Sequence, residues 1–235
     1  MTKDNIKTFI KRRPILLKFF RTIRNRKFFR ASHKRRIKGK GNFLRLDRSA
    51  FLTGVKFEIF GGSNVVTIST SAVLKNVRFY IKGNNNQIII SKDIEFRNGG
   101  LLWIEGDNCI IEIGKSTTFN GHTHLAATES DSVISIGYDC MFAYDIDVRT
   151  GDSHSIINLE TNKRINYAKD VIIGNHVWVA SHVSILKGVK IEANSVVATR
   201  SVVTKGFQQS NILIGGCPAK ILKENITWDR KRIYD

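Results

Sequence analysis

The chain has 235 residues, of which 42% are hydrophobic, enough to fill the core of one large domain with an appendage. Disorder along the whole length is therefore excluded. Cys109, Cys140 and Cys217 are odd in number and form no CxxC pair, so they suggest neither a disulfide framework nor a zinc site, and they fit a reducing cytoplasm.

Positive charge is concentrated in the first 45 residues, which hold 17 Lys and Arg and one acid, Asp4. Apolar residues recur there at near-helical spacing, which predicts a basic amphipathic segment over 1–45 with helices around Pro14. The longest apolar run, Ile15-Leu16-Leu17, is too short for a secretion signal or a spanning helix. Three roles stay open: an anionic membrane surface, which we favour, a cap on the folded domain, and nucleic-acid binding.

A long repeat begins near residue 50. Ile68, Ile90, Ile113 and Ile136 follow one another at 22 or 23 residues, and each comes after a polar turn rich in Gly, Asn, Asp or Ser. Such turns supply the left-handed backbone angles that sharp corners need. We expect each repeat to be one coil with an enlarged corner.

The repeat stops after Val148 and resumes near Val171. The segment between them, 149–170, is too polar and irregular to form a coil. Because a long loop that interrupts a regular repeat usually carries function, this loop is the first place to look for a site.

A shorter period follows in residues 170–206. Aliphatic residues recur every six positions, and the residues two before them are aliphatic or small: Ile173, Val179, Ile185, Ile191, Val197 and Val203, preceded by Val171, Val177, Val183, Val189, Ser195 and Ser201. A period of six fits neither a helix nor a plain strand, and it predicts an all-β parallel solenoid in which three short strands close each coil. We place the solenoid at 46–206.

Residues 207–235 are expected to form a C-terminal cap. Ala219 to Ile226 suggests a short helix, and the tail Trp228-Asp229-Arg230 is expected to cover the last coil.

These motifs resemble the hexapeptide-repeat acyltransferases, in particular the branch that O-acetylates bacterial polysaccharides. The segments that carry the resemblance are GDSHSI (151–156), HVWVASHVSILKGV (176–189), SVVTKG (201–206) and GGCPAKIL (215–222). The resemblance implies a left-handed parallel β-helix, a homotrimer with active sites between neighbouring solenoids, and acetyl-CoA as co-substrate.

His154 matches the catalytic histidine of that family and lies in the inserted loop, where an imidazole suits a general base. It needs an acceptor to orient its other ring nitrogen, and Asp145, Asp147 and Asp152 are the candidates. No Gly-x-Ser-x-Gly motif is present, so direct transfer is favoured over an acyl-serine intermediate.

Trp178 follows the inward Val177 and should point outward, resembling the family's Trp beside the acceptor pocket. Packing at a subunit interface is an alternative and compatible role. Asp145 is a second candidate for contact with the acceptor.

The resemblance also implies a coenzyme A site at the end of the repeat. Ala180 stands where the family usually has Gly, beside the expected pantetheine channel, and Cys217 replaces the usual Asn before Pro-Ala. The remaining residues that match the family's CoA-binding end are Lys205, Gly215, Gly216, Pro218, Ala219 and Lys220.

Metal chemistry is a weak alternative. Similar solenoids in the γ-class carbonic anhydrases hold zinc with histidines, but His176 and His182, six residues apart, should lie on adjacent faces of one coil. They have no clear third ligand, although His122 and His124 remain possible ones. We expect no metal.

The sequence thus predicts an acetyl-CoA-dependent O-acetyltransferase of a surface polysaccharide or its lipid-linked precursor, in the cytoplasm and near the inner membrane leaflet. The nearest rival is an acetyltransferase of a small acceptor, such as a nucleotide sugar, serine or an antibiotic. The basic N-terminus distinguishes the two hypotheses, because a soluble acceptor would not require it. A basic solenoid scaffold without activity is the other rival, and its binding to a polyanion would depend steeply on salt.

Overall fold

The computed structural model describes residues 33–234, and these fold as a parallel β-helix of triangular cross-section. The predicted helices of the basic segment fall in residues 1–30, outside the described part. Each coil contributes one short strand to each of three faces, and strands of successive coils pair in parallel and in register.

The first face is a seven-stranded sheet. Its strands are β2 (Phe43–Leu46), β5 (Val65–Ile68), β8 (Gln87–Ile90), β11 (Ile110–Ile113), β13 (Val133–Ile136), β17 (Val171–Ile173) and β20 (Lys190–Ile191).

The second face joins the third through two long strands, β12 (Thr118–Thr128) and β14 (Met141–Arg149), which bend at the shared corner and belong to both faces. The other strands of the second face are β3 (Phe51–Thr53), β6 (Val73–Lys75), β9 (Glu95–Phe96), β18 (Trp178–Val179), β21 (Val196–Val197) and β23 (Leu213–Gly216). Those of the third face are β1 (His33–Lys38), β4 (Val55–Phe60), β7 (Val77–Lys82), β10 (Gly100–Glu105), β19 (Ser184–Ile185) and β22 (Val202–Val203).

The predicted core columns are confirmed, because all twelve residues of the six-residue pattern are buried. In the longer coils the interior is filled by stacked rings: Phe96, Phe119 and Phe142 lie one above another, with centroids 4.2 and 4.7 Å apart. Each ring thus lies over the ring of the preceding coil, at about the 4.8 Å separation of neighbouring strands.

Polar residues make the corners. The turns that the sequence singles out lie between the third and first faces, where Ser63, Asn85 and Asn108 have φ between 56° and 58°, as predicted. At the first corner, between the first and second faces, Asp93, Ser116, Asp139, His176 and Asn194 all have φ between 52° and 62°. Asn and Asp tolerate this left-handed conformation better than most side chains. The same conformation recurs at the second corner, between the second and third faces, in Asn76, His122, Asp145, His182 and Arg200.

At the third corner, between the third and first faces, buried amides form a ladder. The Nδ2 of Asn86 donates to Oδ1 of Asn64 at 3.0 Å, and Asn64 donates in the same way to Asn42 at 3.0 Å. The amide of Cys109 ends the ladder by donating to Oδ1 of Asn86 at 2.8 Å. These bonds satisfy polar groups that the core would otherwise leave unpaired.

The repeat is interrupted at the third corner, as predicted. The chain leaves the solenoid after Thr150 and returns at Lys169, whose amide donates to the Thr150 carbonyl at 2.9 Å. Between them lies an insert with one small antiparallel hairpin, β15 (Ile157–Asn158) and β16 (Lys163–Arg164). We call residues 150–169 the inserted loop.

Two expectations for the chain ends are wrong. Strands already begin at His33, so the coils start thirteen residues before the predicted boundary at 46. Ala219 to Ile226 forms no helix: Ala219–Lys223 is a strand, β24, that pairs antiparallel with β23. Pairing with the last coil outweighs the helix propensity of its Ala, Leu and Lys residues.

The C-terminal tail also differs from the expected cap, because it runs back along the first corner. Ile226 bonds with Asn211, Trp228 contacts His176, and Arg230 donates to the Cys140 carbonyl at 2.9 Å. The tail therefore crosses the edges of several coils and does not lie over the last one.

Candidate active site

His154 lies exposed in the inserted loop, in a backbone arrangement that Asn166 organises. The buried Nδ2 of Asn166 donates to the His154 carbonyl at 2.7 Å and to Oδ2 of Asp152 at 2.8 Å, while its Oδ1 accepts from the Ile156 amide at 2.7 Å. One side chain thus ties both flanks of His154 together and leaves the imidazole facing outward. Sequence reasoning missed Asn166, which belongs to no motif.

Asp152 is used to hold the loop. Its carboxylate accepts from the ammonium group of Lys187 on the solenoid, and Lys187 also donates to the Asn166 carbonyl at 3.0 Å. The Lys187 hydrogen bond holds the pKa of Asp152 below its ordinary value, against a smaller opposing effect of burial. Asp152 is thus an ionised anchor beside His154.

A second ion pair fixes the far side of the loop. Both guanidinium NH groups of Arg164 donate to the Glu129 carboxylate, with one bond of 2.9 Å. These bonds lower the pKa of Glu129, more strongly than burial raises it. Such a bidentate pair is geometrically specific, so it holds the hairpin against the third corner.

Asp145 and Asp147 point outward from the same strand, as their shared parity predicts. Both lie on the solenoid and not in the inserted loop that carries His154. Asp145 sits at the second corner, with Nδ1 of His182 at 3.2 Å and Nδ1 of His122 at 3.8 Å from its carboxylate. Within residues 33–234, no hydrogen bond joins the ring of His154 to any carboxylate.

Asp147 lies on the third face within a compact ionic group. Nδ1 of His124 donates to Oδ1 at 2.9 Å, and Nε of Arg149 donates to Oδ2 at 2.7 Å. Burial alone raises the pKa of Asp147, but the His124 hydrogen bond and the Arg149 charge outweigh burial and bring the pKa below its ordinary value. Asp147 is therefore a carboxylate at neutral pH.

A sequence signal for these pairs existed. His122 and Asp145, and likewise His124 and Asp147, are 23 residues apart, which is the length of one coil in this part of the chain. His182 lies 37 residues after Asp145 because the inserted loop lengthens that coil, and this hides the relation in the sequence.

Trp178 projects outward from the second face, as predicted, and is half-buried between Met141 and Val196 of the neighbouring coils. The ring of Trp228 from the tail lies 6.1 Å away at 48°. The second face is opposite the third corner of the triangle, so Trp178 and the inserted loop lie on different sides of one chain.

Beside Trp178 the second face carries a column of small residues: Ala143, Ala180, Ala198 and Gly215 follow one another in successive coils. The packing is tight, since a Cβ at Gly215 would lie 2.9 Å from the Cβ of Ala198. Ala180, singled out in the sequence, is therefore part of a smooth track that runs along the helix axis toward the C-terminal coils.

Lys205 and Lys220, predicted to bind the same ligand, line one open depression of about 580 Å³ at the C-terminal end of the solenoid, together with Phe207 and Ile221. Gly215, Gly216, Ala219 and Lys220 form the β23–β24 hairpin, whose turn contains a cis peptide before Pro218. Two cations beside a hairpin that opens to solvent suit an anionic ligand.

His176 serves the tail. Its Nδ1 donates to Asp139 at 2.9 Å and its Nε2 donates to the Trp228 carbonyl at 3.0 Å. His176 and His182 occupy adjacent corners of one coil, as their spacing predicts. Among the described residues no cluster of three or more His, Cys, Asp or Glu side chains is arranged to hold a metal ion.

The chain is similar to proteins of known activity. A polysialic acid O-acetyltransferase of Neisseria meningitidis is 40% identical over 79 residues, a match that spans 34% of this chain and 37% of that relative. The crystal structure of the polysialic acid O-acetyltransferase OatWY matches with a TM-score of 0.76 at 35% identity, over 86% of this chain and 93% of that one. The polySia-specific acetyltransferase NeuO gives 0.73 at 31% identity, over 85% and 90%. No protein-family model matches.

The long structural match at this identity extends well beyond the hexapeptide segment. The chain belongs to the hexapeptide-repeat acyltransferases, the left-handed β-helix enzymes, and within them to the branch of the polysaccharide O-acetyltransferases.

Proposed function

We propose that this protein transfers the acetyl group of acetyl-CoA to a hydroxyl of a bacterial surface polysaccharide or of its lipid-linked precursor. The observation that carries the proposal is the likeness to the structure of a polysialic acid O-acetyltransferase, which extends over 86% of this chain at 35% identity.

His154 acts as the general base. Its exposed imidazole takes the proton of the sugar hydroxyl as the oxygen attacks the thioester carbonyl, so the C–O bond forms and the C–S bond then breaks. The proton passes to the departing CoA thiolate, which restores neutral imidazole. Asn166 and Asp152 hold the loop, and they serve the reaction by fixing where the imidazole stands.

CoA lies along the second face. The track through Ala180 and Ala198 gives a thin pantetheine arm a close approach to the backbone, and it leads toward the end of the solenoid where Lys205 and Lys220 line the depression. The ammonium groups of these lysines pair with the phosphates of the nucleotide. Trp178, beside the track, supports the sugar or the thioester end.

The active site is shared between copies in a trimer. His154 belongs to the third corner and Trp178 to the opposite face, so one chain does not bring them together. In the proposed trimer the inserted loop of a neighbouring copy supplies His154 to that face. A ring of three chains repeats this contact three times and closes. The single chain therefore presents the two halves of two different sites.

The enzyme works in the cytoplasm, and the part of the basic N-terminus before the solenoid, residues 1–32, holds it to the anionic inner leaflet. Cys109, Cys140 and Cys217 are free thiols, which fits a reducing compartment. Each cation close to such a surface contributes about 1 kcal/mol of attraction. No helix in residues 33–234 is long and apolar enough to cross a membrane.

The test is a transfer assay with the purified protein, acetyl-CoA and polysialic acid, followed by NMR of the polymer and by thiol release. New O-acetyl signals together with equal release of CoA support the proposal. Transfer to a small amine or to an antibiotic in preference to the polymer contradicts it.

A further inference from the structure

One side of the solenoid is both cationic and aromatic. It is the outer surface of β1, β4, β7 and β10 on the third face, which we call the basic face. Alternation along these strands turns every second side chain outward. The outward cations are Lys34, Arg36, Lys38, Lys56, Arg78 and Lys82. The outward acids are Glu58 and Glu105, which pair with Arg78 and Lys82.

Aromatic rings form a ladder in the middle of the basic face. Tyr80 stacks on Trp103 with centroids 4.1 Å apart and planes at 20°, and Phe60 lies 5.8 Å from Tyr80. Guanidinium groups cover two of these rings, Arg36 over Phe60 and Arg78 over Tyr80, both at 5.4 Å from the centroid. All three rings are partly exposed on the outside of the solenoid.

The ladder points to the inserted loop. Register pairing places Tyr80, Trp103, Ala126 and Arg149 in one column, and Arg149 directly precedes the loop that carries His154. Neighbouring strands are about 4.8 Å apart, so Tyr80 lies about 14 Å from the root of the loop along the helix axis. A chain that followed this column would reach the loop that carries His154.

We propose that the basic face binds an anionic polysaccharide and guides it along the Tyr80–Trp103 column to His154, an inference that rests on the proposed function. The outward edges of the stacked rings offer apolar surface to the C–H groups of sugar rings, and guanidinium and ammonium groups pair with sugar carboxylates. The basic face repeats both kinds of contact from coil to coil, as a repeating anionic polymer requires.

Charge supports a polyanion as the occupant. The outward cations outnumber the outward acids, and Lys34 and Lys56 are register neighbours on adjacent strands with no acid between them. Like charges at this spacing repel, and a cationic strip raises the local concentration of a polyanion at its surface. Binding that relieves this repulsion is favourable and is screened by salt.

The experiment measures binding of the full-length protein to polysialic acid at several salt concentrations, with dextran as a neutral polymer. The variants are Trp103→Ala for the ladder and a Lys34→Gln/Lys56→Gln pair for charge. The lysine pair changes only exposed side chains, so this variant should fold normally. It keeps the test valid if Trp103→Ala weakens packing. The matched control is Lys115→Gln/Tyr138→Ala, which removes an exposed cation–π pair, 5.5 Å apart, at the first corner.

Each variant should bind polysialic acid at least about fivefold more weakly, the usual effect of removing a central contact. The control variant should bind polysialic acid as the unaltered protein does, and dextran should not bind to any of the proteins. In the transfer assay KM for the polymer should rise and kcat should stay unchanged. Equal binding by all variants, or no binding of polysialic acid by the unaltered protein, overturns the inference. Two other results also overturn the inference. A lower oligomer mass for Trp103→Ala would assign the basic face to a second copy of the chain. Tighter binding of single-stranded DNA than of polysialic acid would assign it to nucleic acid.

Failure of the proposed function has a different signature. If polysialic acid binds on this face but no acetyl group is transferred to any acceptor, the acetyltransferase proposal fails and the binding surface stands. If transfer occurs with an unchanged KM in every variant, the basic face is not the route of the polymer and the enzyme assignment stands.

Discussion

The indole of Trp228 stacks on the imidazole of His176 with ring centroids 4.3 Å apart and planes at 9°. The contact is closed by two hydrogen bonds, from Trp228 Nε1 to the His176 carbonyl at 2.8 Å and from His176 Nε2 to the Trp228 carbonyl at 3.0 Å. Residues 52 positions apart are thereby joined, and the tail is fixed to the first corner of the solenoid.

The Trp228→Ala variant should therefore be clearly less stable. Trp228 is 7% exposed, and its loss removes both the stacked ring and the Nε1 donor. We expect the free energy of unfolding to fall by about 3 kcal/mol, within the range for truncation of a buried Trp. Urea denaturation followed by circular dichroism measures it.

Tyr234→Ala is the control for Trp228→Ala, because Tyr234 lies in the same tail but is 78% exposed. Its effect should stay within about 0.5 kcal/mol, as for most surface changes. If both variants have the same free energy of unfolding, the Trp228 contact does not hold the tail.

Acid sensitivity should come partly from Asp147. Its pKa is lowered in the folded state, so its contribution to stability is present above the ordinary Asp pKa of about 3.9 and is lost as pH falls through the lower folded value. Asp147→Asn should reduce stability at pH 7 and should flatten the decline below about pH 4. Melting temperatures between pH 2.5 and 7 measure this, and an unchanged slope would contradict the role of the His124 and Arg149 contacts.

Deleting residues 1–32 should strongly weaken binding to anionic vesicles and leave acetyl transfer to a soluble acceptor intact. This segment holds most of the cations of the basic N-terminus, and the described coils begin only at His33. Cosedimentation with vesicles that contain phosphatidylglycerol, at low and at physiological salt, measures the binding. Equal binding by the truncated protein would refute membrane attachment through this segment.

The regular part of this fold was predictable from sequence because burial repeats at a fixed period. Val179 and Ile185, for example, are assigned to the core by their spacing alone, and both are fully buried. The inserted loop was found in the same way, as the place where the period fails.

Contacts made outside the regular register of the coils were not predictable. Ala219–Lys223 has the composition of a helix, but the open edge of β23 pairs with it as a strand. The amide of Asn166 and the Trp228–His176 stack depend on which segments meet across a corner, and local sequence does not state this. In the candidate site, His154 and Lys205 came from motifs, whereas Asn166, which holds the backbone of His154, came from the structure.

His154→Ala should lower kcat by about 10² to 10⁴, the usual contribution of positioned proton transfer, with CoA affinity unchanged. The ring is exposed, and Asn166 bonds to the backbone of His154, so the melting temperature should also stay unchanged. Ser155→Ala, the adjacent exposed residue, is the control. Turnover that falls only in step with unfolding would make His154 a structural residue.

The last prediction tests the shared site by mixing two inactive variants. His154→Ala removes the base and Trp178→Ala removes the ring on the opposite face, so each pure trimer lacks one half of all three sites. In trimers reassembled from equal amounts, a site is complete when one chain supplies His154 and its neighbour supplies Trp178, which happens in about a quarter of sites in a closed ring with head-to-tail contacts.

Refolding the mixed variants from urea should therefore restore about a quarter of the wild-type rate. The matched control mixes the two proteins without unfolding. Each proposed trimer then keeps one kind of chain, and the mixture should stay inactive. If both residues acted within one chain, no mixture would recover, because every chain carries one of the two defects. Recovery after refolding together, and only then, would establish that His154 and Trp178 of different chains form the site.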